Sequence, residues 1–169
     1  MTRYFWLLLA VPLPAAAQQA VAGCAPMDST HAMHHAPDST FAKVQSQGRI
    51  AMGVDQYTST HCFDASATGG RIELQRNVED PEGVETIRRH LQEIVAAFRT
   101  GDFSAPMFVH SQEVPGTKVM AARRAHITYT YRPLPRGGEV VIETRDPEAL
   151  HAIHEFMMFQ RSDHRAGGH

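Results

Sequence analysis

The chain has 169 residues, with 16 Lys or Arg against 18 Asp or Glu and a formal net charge of −2. This balance excludes the clustered basic surface typical of nucleic-acid-binding proteins, and the length suits one domain with a hydrophobic core. Two cysteines are present, too few for a disulfide framework to replace that core.

The N-terminus is typical of a secretory signal peptide. Arg3 precedes an apolar run shorter than the roughly 20 residues of a transmembrane helix. Residues 1–23 are therefore predicted to be removed, by cleavage after Ala17 or by lipobox processing before Cys24. We expect an exported, periplasmic protein whose contact with a membrane is limited to a lipid anchor on Cys24. In an oxidising compartment Cys24 and Cys62 could instead pair, whereas lipidation leaves Cys62 free.

Three segments are predicted for the mature chain. Residues 24–48 are rich in Ala, Ser, Asp, Pro and His, a composition that favours a flexible tether. Residues 49–165 are expected to form one folded domain, and residues 166–169 a tail.

A β-hairpin is predicted at the start of this domain. Apolar residues alternate over 50–63, a loop with two glycines follows at 64–70, and a second alternating run covers 72–78. His61 and Phe63 share one parity, so the imidazole is expected to face the core.

An amphipathic helix is predicted next. Asp80 and Pro81 supply an N-cap and a first-turn proline, and Gly101 ends the helix with Phe103 placed to pack back on it. Between them runs an apolar stripe with spacings of three and four residues, and His90 lies at its margin. The stripe comprises Val84, Ile87, Leu91, Ile94 and Phe98.

The rest of the chain completes the predicted fold. A strand is expected at 107–111, a short helix at 117–123, strands at 127–131 and 140–144, and a second long helix after Asp146. The buried stripe of that last helix comprises Leu150, Ile153 and Met157, with His164 at its end. The prediction is a single α+β domain, a mainly antiparallel sheet of about five strands with two helices on one face, in the order β-β-α-β-β-β-α.

The segment HAMHH places His31, Met33, His34 and His35 on the predicted tether. Imidazole and thioether groups suit copper, and imidazole also suits zinc. The segment is therefore a candidate metal-binding arm, and a polar tail of biased composition is the alternative.

Three histidines of the domain are further candidates. A hydrogen-bonded core histidine is the commoner explanation for His61. If His61, His110 and His154 converge at one end of the sheet, they could form a three-ligand metal site. His154 and Glu155 begin an H-E-x-x-H pattern, but Met158 stands where the second histidine would be. Signatures for nucleotide, haem or flavin cofactors are missing from the sequence.

Several short motifs occur together between residues 57 and 164. They are TH-x-F at 60–63, GG-x-I at 69–72, IRRHL at 87–91, GDF at 101–103, PMFVH at 106–110, PG-x-x-VM at 115–120, RGGEV at 136–140 and DPEALHAIHEFMMFQ at 146–160. This set resembles a family of small exported bacterial proteins of no established function, in which THHF often stands where this chain has THCF. Some members are labelled aspartate carbamoyltransferase, but this chain is too short for that two-domain enzyme and has no carbamoyl-phosphate-binding segment.

The sequence thus favours an exported, non-catalytic protein that binds a metal ion or small ligand, with copper or zinc expected first and no nucleic-acid partner. One alternative is a small periplasmic hydrolase or lyase that uses His61 and His110 as acid and base. A second alternative is a structural envelope protein whose histidines are incidental.

Overall fold

The computed structural model describes residues 39–165. Within this range five α-helices and four β-strands follow one another, with 3₁₀ turns at Gln56–Thr58 and Arg124–His126. The elements are α1 (Ser39–Met52), β1 (Ser59–Ser66), β2 (Gly69–Arg76), α2 (Pro81–Thr100), α3 (Ser104–His110), α4 (Thr117–Ala122), β3 (Ile127–Leu134), β4 (Gly137–Thr144) and α5 (Pro147–Asp163).

The four strands form one antiparallel sheet in the order β1-β2-β4-β3. Two hairpins, β1-β2 and β3-β4, meet along the β2-β4 edge. The register across the three strands can be read at Ile72 on β2, which pairs with Phe63 on β1 and with Val140 on β4. The predicted α+β domain with a mainly antiparallel sheet is confirmed, with four strands instead of about five.

One face of the sheet is apolar and carries the helices. Helix α5 packs on β1 and β2, and α2 packs on β3 and β4. Tyr129, Val140 and Ile142 are fully buried between sheet and helices. The opposite face is polar, with Arg71 paired to Asp64 and to neighbouring glutamates. The alternation of apolar and charged residues along the strands produces this two-sided sheet.

Helix α2 follows the sequence prediction closely. The Asp80 carboxylate accepts a hydrogen bond of 2.9 Å from the Gly83 N–H at the N-terminus, and Gly101 ends the helix with a φ of 83°. Phe103 then returns to stack on Phe98, with ring centroids 4.3 Å apart. Local capping chemistry and an apolar stripe therefore suffice to define this helix.

The start of the domain differs from the prediction. Residues 39–52 form helix α1. The prediction of a flexible tether is therefore wrong for residues 39–48, and the folded domain begins before the predicted boundary at residue 49. The rest of the predicted tether, residues 24–38, lies outside the described residues. Val44, Gly48 and Met52 are the buried stripe of α1, at a spacing of four residues. The alternation of apolar residues over 50–63 predicts a strand from the start of the domain, but β1 begins only at Ser59, and Ile50 on α1 is 67% exposed.

The strand predicted at 107–111 is also wrong, because residues 107–110 belong to helix α3 and Ser111 is its C-cap. Pro106 lies in the first turn of α3, where its missing N–H leaves no helical hydrogen bond unmade. Val109 and His110 are buried with it, and α3 packs against α1. The loss of this strand reduces the sheet to four strands.

Helix α5 begins where predicted, with the Asp146 carboxylate accepting from the backbone N–H groups of Glu148 and Ala149. Its buried face carries Ile153 and Met157. None of the helices in residues 39–165 is both long and apolar enough to cross a membrane.

Candidate functional site: a histidine-lined cavity

A small cavity lies between the apolar face of the sheet and helices α1, α2, α3 and α5. Its volume is about 70 Å³, and one water needs roughly 10–15 Å³ on this scale. Four histidines line it: His61, His90, His110 and His164. The remaining wall is largely apolar, with side chains such as Phe63 and Leu91. The cavity therefore suits a metal ion or a very small ligand.

Each histidine reaches the cavity from a different element. His61 is on the core-facing side of β1, and His90 lies on the cavity side of α2. His110 is the last residue of α3, and His164 is the C-cap of α5. The C-terminal ends of two helices thus meet beside the first strand.

The ring of His164 lies between two other imidazoles. Its centroid is 5.8 Å from that of His61 and 4.9 Å from that of His110. Phe63 stacks on the same ring at 5.3 Å. His164 is therefore held at the centre of the histidine cluster.

Each ring nitrogen of His110 has a polar partner within hydrogen-bond distance. Nδ1 donates to the Asp163 carboxylate, and Nε2 lies 3.0 Å from Oε1 of Gln160. The edge of the Phe159 ring packs against this imidazole at a centroid distance of 4.9 Å. A carboxylate behind a histidine fixes the tautomer and orientation of the ring, in metal sites and in catalytic dyads alike.

Burial keeps several of these imidazoles uncharged. It lowers the pKa of His61 to about 3, with the nearby His90 adding to the effect. Burial also lowers the pKa of His164 well below its ordinary value, assisted by His61 and His110. The pKa of His90 is lowered by burial and partly restored by Glu93. Neutral imidazole is the form that binds metals.

The residues predicted from sequence fall into three groups. His61 and His110 do meet at the cavity, on either side of His164. His154 does not join them, because its Nε2 lies 2.9 Å from the Ser66 carbonyl at the β1-β2 turn. The arm residues His31, Met33, His34 and His35 lie outside the described residues.

Two cavity residues, His90 and His164, had only weak signals in the sequence. His164 lies seven residues after Met157, which is two helical turns along the same buried face. His90 precedes the buried Leu91 and is only half-buried. Nothing local shows that these residues meet His61, because the contact depends on tertiary packing.

The cluster is not a preformed chelate. Among residues 39–165, no group of three or more His, Cys, Asp or Glu side chains is already placed to hold a metal ion. The ring spacing nevertheless suits shared ligation. With metal–nitrogen bonds of about 2.0–2.1 Å, two imidazoles on one tetrahedral ion have centroids about 5 Å apart, close to the 4.9 and 5.8 Å observed.

Cys62 follows His61 in sequence but faces the opposite side of the sheet. It is 1% exposed and disulfide-bonded, so it is not available as a nucleophile or ligand at the cavity. The other cysteine of the chain, Cys24, lies outside the described residues.

Comparisons of the chain with protein-family models, with curated proteins and with solved structures found no match. The cavity and its histidines are therefore the basis on which a function is proposed.

Proposed function

We propose that the protein binds a copper or zinc ion in the histidine-lined cavity, as an exported metal-binding protein without catalytic activity. The observation that carries the proposal is the position of the His164 ring, 5.8 Å from His61 and 4.9 Å from His110 beside one small cavity. Imidazole nitrogens at this spacing can share a borderline metal after small side-chain rotations.

The composition of the wall supports the same proposal. Four imidazoles occupy positions where apolar side chains would give a more stable core, because burying polar groups carries a desolvation cost. A bound ion would compensate that cost by using the ring nitrogens as ligands.

The proposal gives the histidines different roles. His61 and His164 are the ligands. His110 is a positioning residue, since its Nδ1 is bound to the Asp163 carboxylate. By contrast, the side-chain partner of His61 is the Ser59 hydroxyl, 3.4 Å from Nε2. The arm at residues 31–35 would be an accessory binding segment.

The test is a calorimetric titration of the metal-free mature protein with copper and with zinc. The cavity variant is His61→Gln with His164→Gln, and the matched control is His151→Gln on the outer side of α5, where the side chain is 78% exposed. A third variant replaces the four candidate ligands within 31–35 by alanine. Alanine substitution leaves helix α1 intact, because all four residues precede Ser39.

We expect the ion in the cavity to remain in the arm variant and in the control, and to be lost in the cavity variant, whatever the arm binds in addition. Circular dichroism establishes that each variant is folded. A folded arm variant without metal binding would refute the cavity site.

A second candidate function is acid–base catalysis on a small substrate. The observation that favours it is the hydrogen-bonded pair of Asp163 and His110 beside the cavity. His61 is a poor partner in this role, because burial lowers its pKa to about 3, far from the neutral range where a general acid or base works well. Hydrolysis of small esters that survives chelator treatment but is abolished in His110→Gln would favour the enzyme.

A further inference from the structure

We propose that the cavity selects Cu(I) over Zn²⁺, with the thioether of Met52 joining His61 and His164 as the third ligand. This inference rests on the proposed metal-binding function and specifies the ion. Met52 comes from the last turn of α1, is 7% exposed, and lines the same cavity as the two histidines.

The charge of the wall favours a monovalent ion. No carboxylate is found among the described residues that line the cavity. The Asp163 carboxylate does not line the cavity and is hydrogen-bonded to the His110 ring. The Born cost of burying an ion grows with the square of its charge, so Zn²⁺ would cost about four times as much as a monovalent ion of equal radius. Neutral ligands in an apolar wall therefore disfavour Zn²⁺.

The ligand types favour the same ion. Thioether sulfur is a soft ligand that selects Cu(I), whereas structural zinc sites need four His, Cys or carboxylate ligands. Residues 39–165 contain no ready group of three such ligands. Cu(I) accepts two or three ligands, so His61, His164 and Met52 suffice for it.

His110 is not needed in this set. Its Nε2 faces the Gln160 side-chain oxygen at 3.0 Å, and its Nδ1 is bound to Asp163. Ligation by Nδ1 would break the hydrogen bond to Asp163, and ligation by Nε2 would displace Gln160, so either is costly in a buried site. We therefore assign His110 to orienting the neighbouring His164 ring.

The test uses the full mature chain with the arm ligands replaced, so that only the cavity can bind. Cu(I) is titrated without oxygen against a coloured Cu(I) chelator, and Zn²⁺ against a fluorescent zinc indicator. We expect one Cu(I) per chain, bound at least about a hundredfold more tightly than Zn²⁺. X-ray absorption should show nitrogen ligands and one sulfur.

The discriminating variant is Met52→Leu, with Met158→Leu as matched control, because Met158 is 64% exposed on α5. Met52→Leu should lower Cu(I) affinity about tenfold or more, remove the sulfur signal and leave Zn²⁺ binding unchanged. His164→Gln should abolish Cu(I) binding, and the control should change neither.

The outcomes separate the two levels of the proposal. Zn²⁺ bound in the cavity as tightly as Cu(I), or Cu(I) affinity unchanged in Met52→Leu, would overturn the selection of Cu(I) and leave the metal site standing. A folded, arm-substituted chain that binds neither metal would refute the site itself.

Discussion

The buried imidazole of His61 should make the metal-free protein sensitive to mild acid. Its folded-state pKa is about 3, against an ordinary value of 6.5 in the unfolded chain. Below pH 6.5 the unfolded chain therefore binds a proton that the folded protein rejects. The resulting stability loss begins near pH 6.5 and grows until the pH reaches about 3.

The size of the stability loss follows from the pH range between the unfolded and folded pKa values of His61. Each pH unit within it costs about 1.4 kcal/mol per histidine. Lowering the pH from 7.5 to 5.0 should therefore remove about 2 kcal/mol from the free energy of unfolding through His61 alone. His164 and His90 act in the same direction, because their pKa values are also lowered by burial.

The assay is urea unfolding of the metal-free protein, with a chelator present, at both pH values. His61→Gln cannot take up the proton, so its acid loss should be smaller than that of the wild type by about 2 kcal/mol. Asp146 contributes little to this comparison. Backbone N–H groups of α5 hold the pKa of Asp146 below its ordinary 3.8, so its contribution is lost only in stronger acid.

The control is His151→Gln, whose exposed ring should leave the acid loss as in the wild type. In parallel, the NMR ring signals of His61 should not titrate down to pH 5. Equal acid losses in wild type and His61→Gln would refute the reasoning, since His61 would then be protonated as easily in the folded protein as in the unfolded chain.

Three further predictions concern the fold. Tyr129→Phe should leave the free energy of unfolding unchanged or raise it by about 1 kcal/mol, because the buried hydroxyl has no hydrogen-bond partner among the described residues; a loss above 1 kcal/mol in urea unfolding would contradict this. Gly116→Ala should cost roughly 2 kcal/mol or more, because φ is +81° and the new Cβ would lie 2.1 Å from a backbone oxygen of α5; wild-type stability would contradict it. Cys62 is disulfide-bonded, so if Cys24 is its partner, intact-mass analysis should show cleavage after Ala17 and no free thiol, whereas a lipid-modified Cys24 would exclude that pairing.

Sequence reasoning succeeded where local interactions determine the structure. Helix α2 has a capping carboxylate at Asp80, a proline in its first turn and a left-handed glycine at its end. These signals act within a few residues, so they can be read without knowing the fold. The alternation that predicted β3 and β4 is equally local, because one face of each strand is buried.

Sequence reasoning failed where the environment of a segment comes from elsewhere in the chain. Helix α1 has a weakly apolar stripe, and its burial depends on contact with α3. Helix α3 has seven residues, too few to show a clear period. For such segments tertiary packing overrides weak local propensity.

The candidate site shows the same division. The parity of β1 was enough to direct His61 toward the core. His164 reaches the cavity and the predicted His154 does not, because of which part of α5 faces the ends of α1 and α3. That is a property of the assembled helices. His154 lies along the β1-β2 turn instead, where Ser66 accepts its hydrogen bond.

A single buried histidine is common in protein cores, but here four histidines line one small cavity. Each occupies a position where an apolar residue would pack, and together they make the metal-free core sensitive to acid by about 2 kcal/mol through His61 alone. A ligand present at a hundred times its dissociation constant stabilises the folded state by about 2.7 kcal/mol. A bound ion would therefore offset a loss of this size, although the slope of stability against pH would remain, because the unfolded chain still takes up the proton that the folded protein rejects.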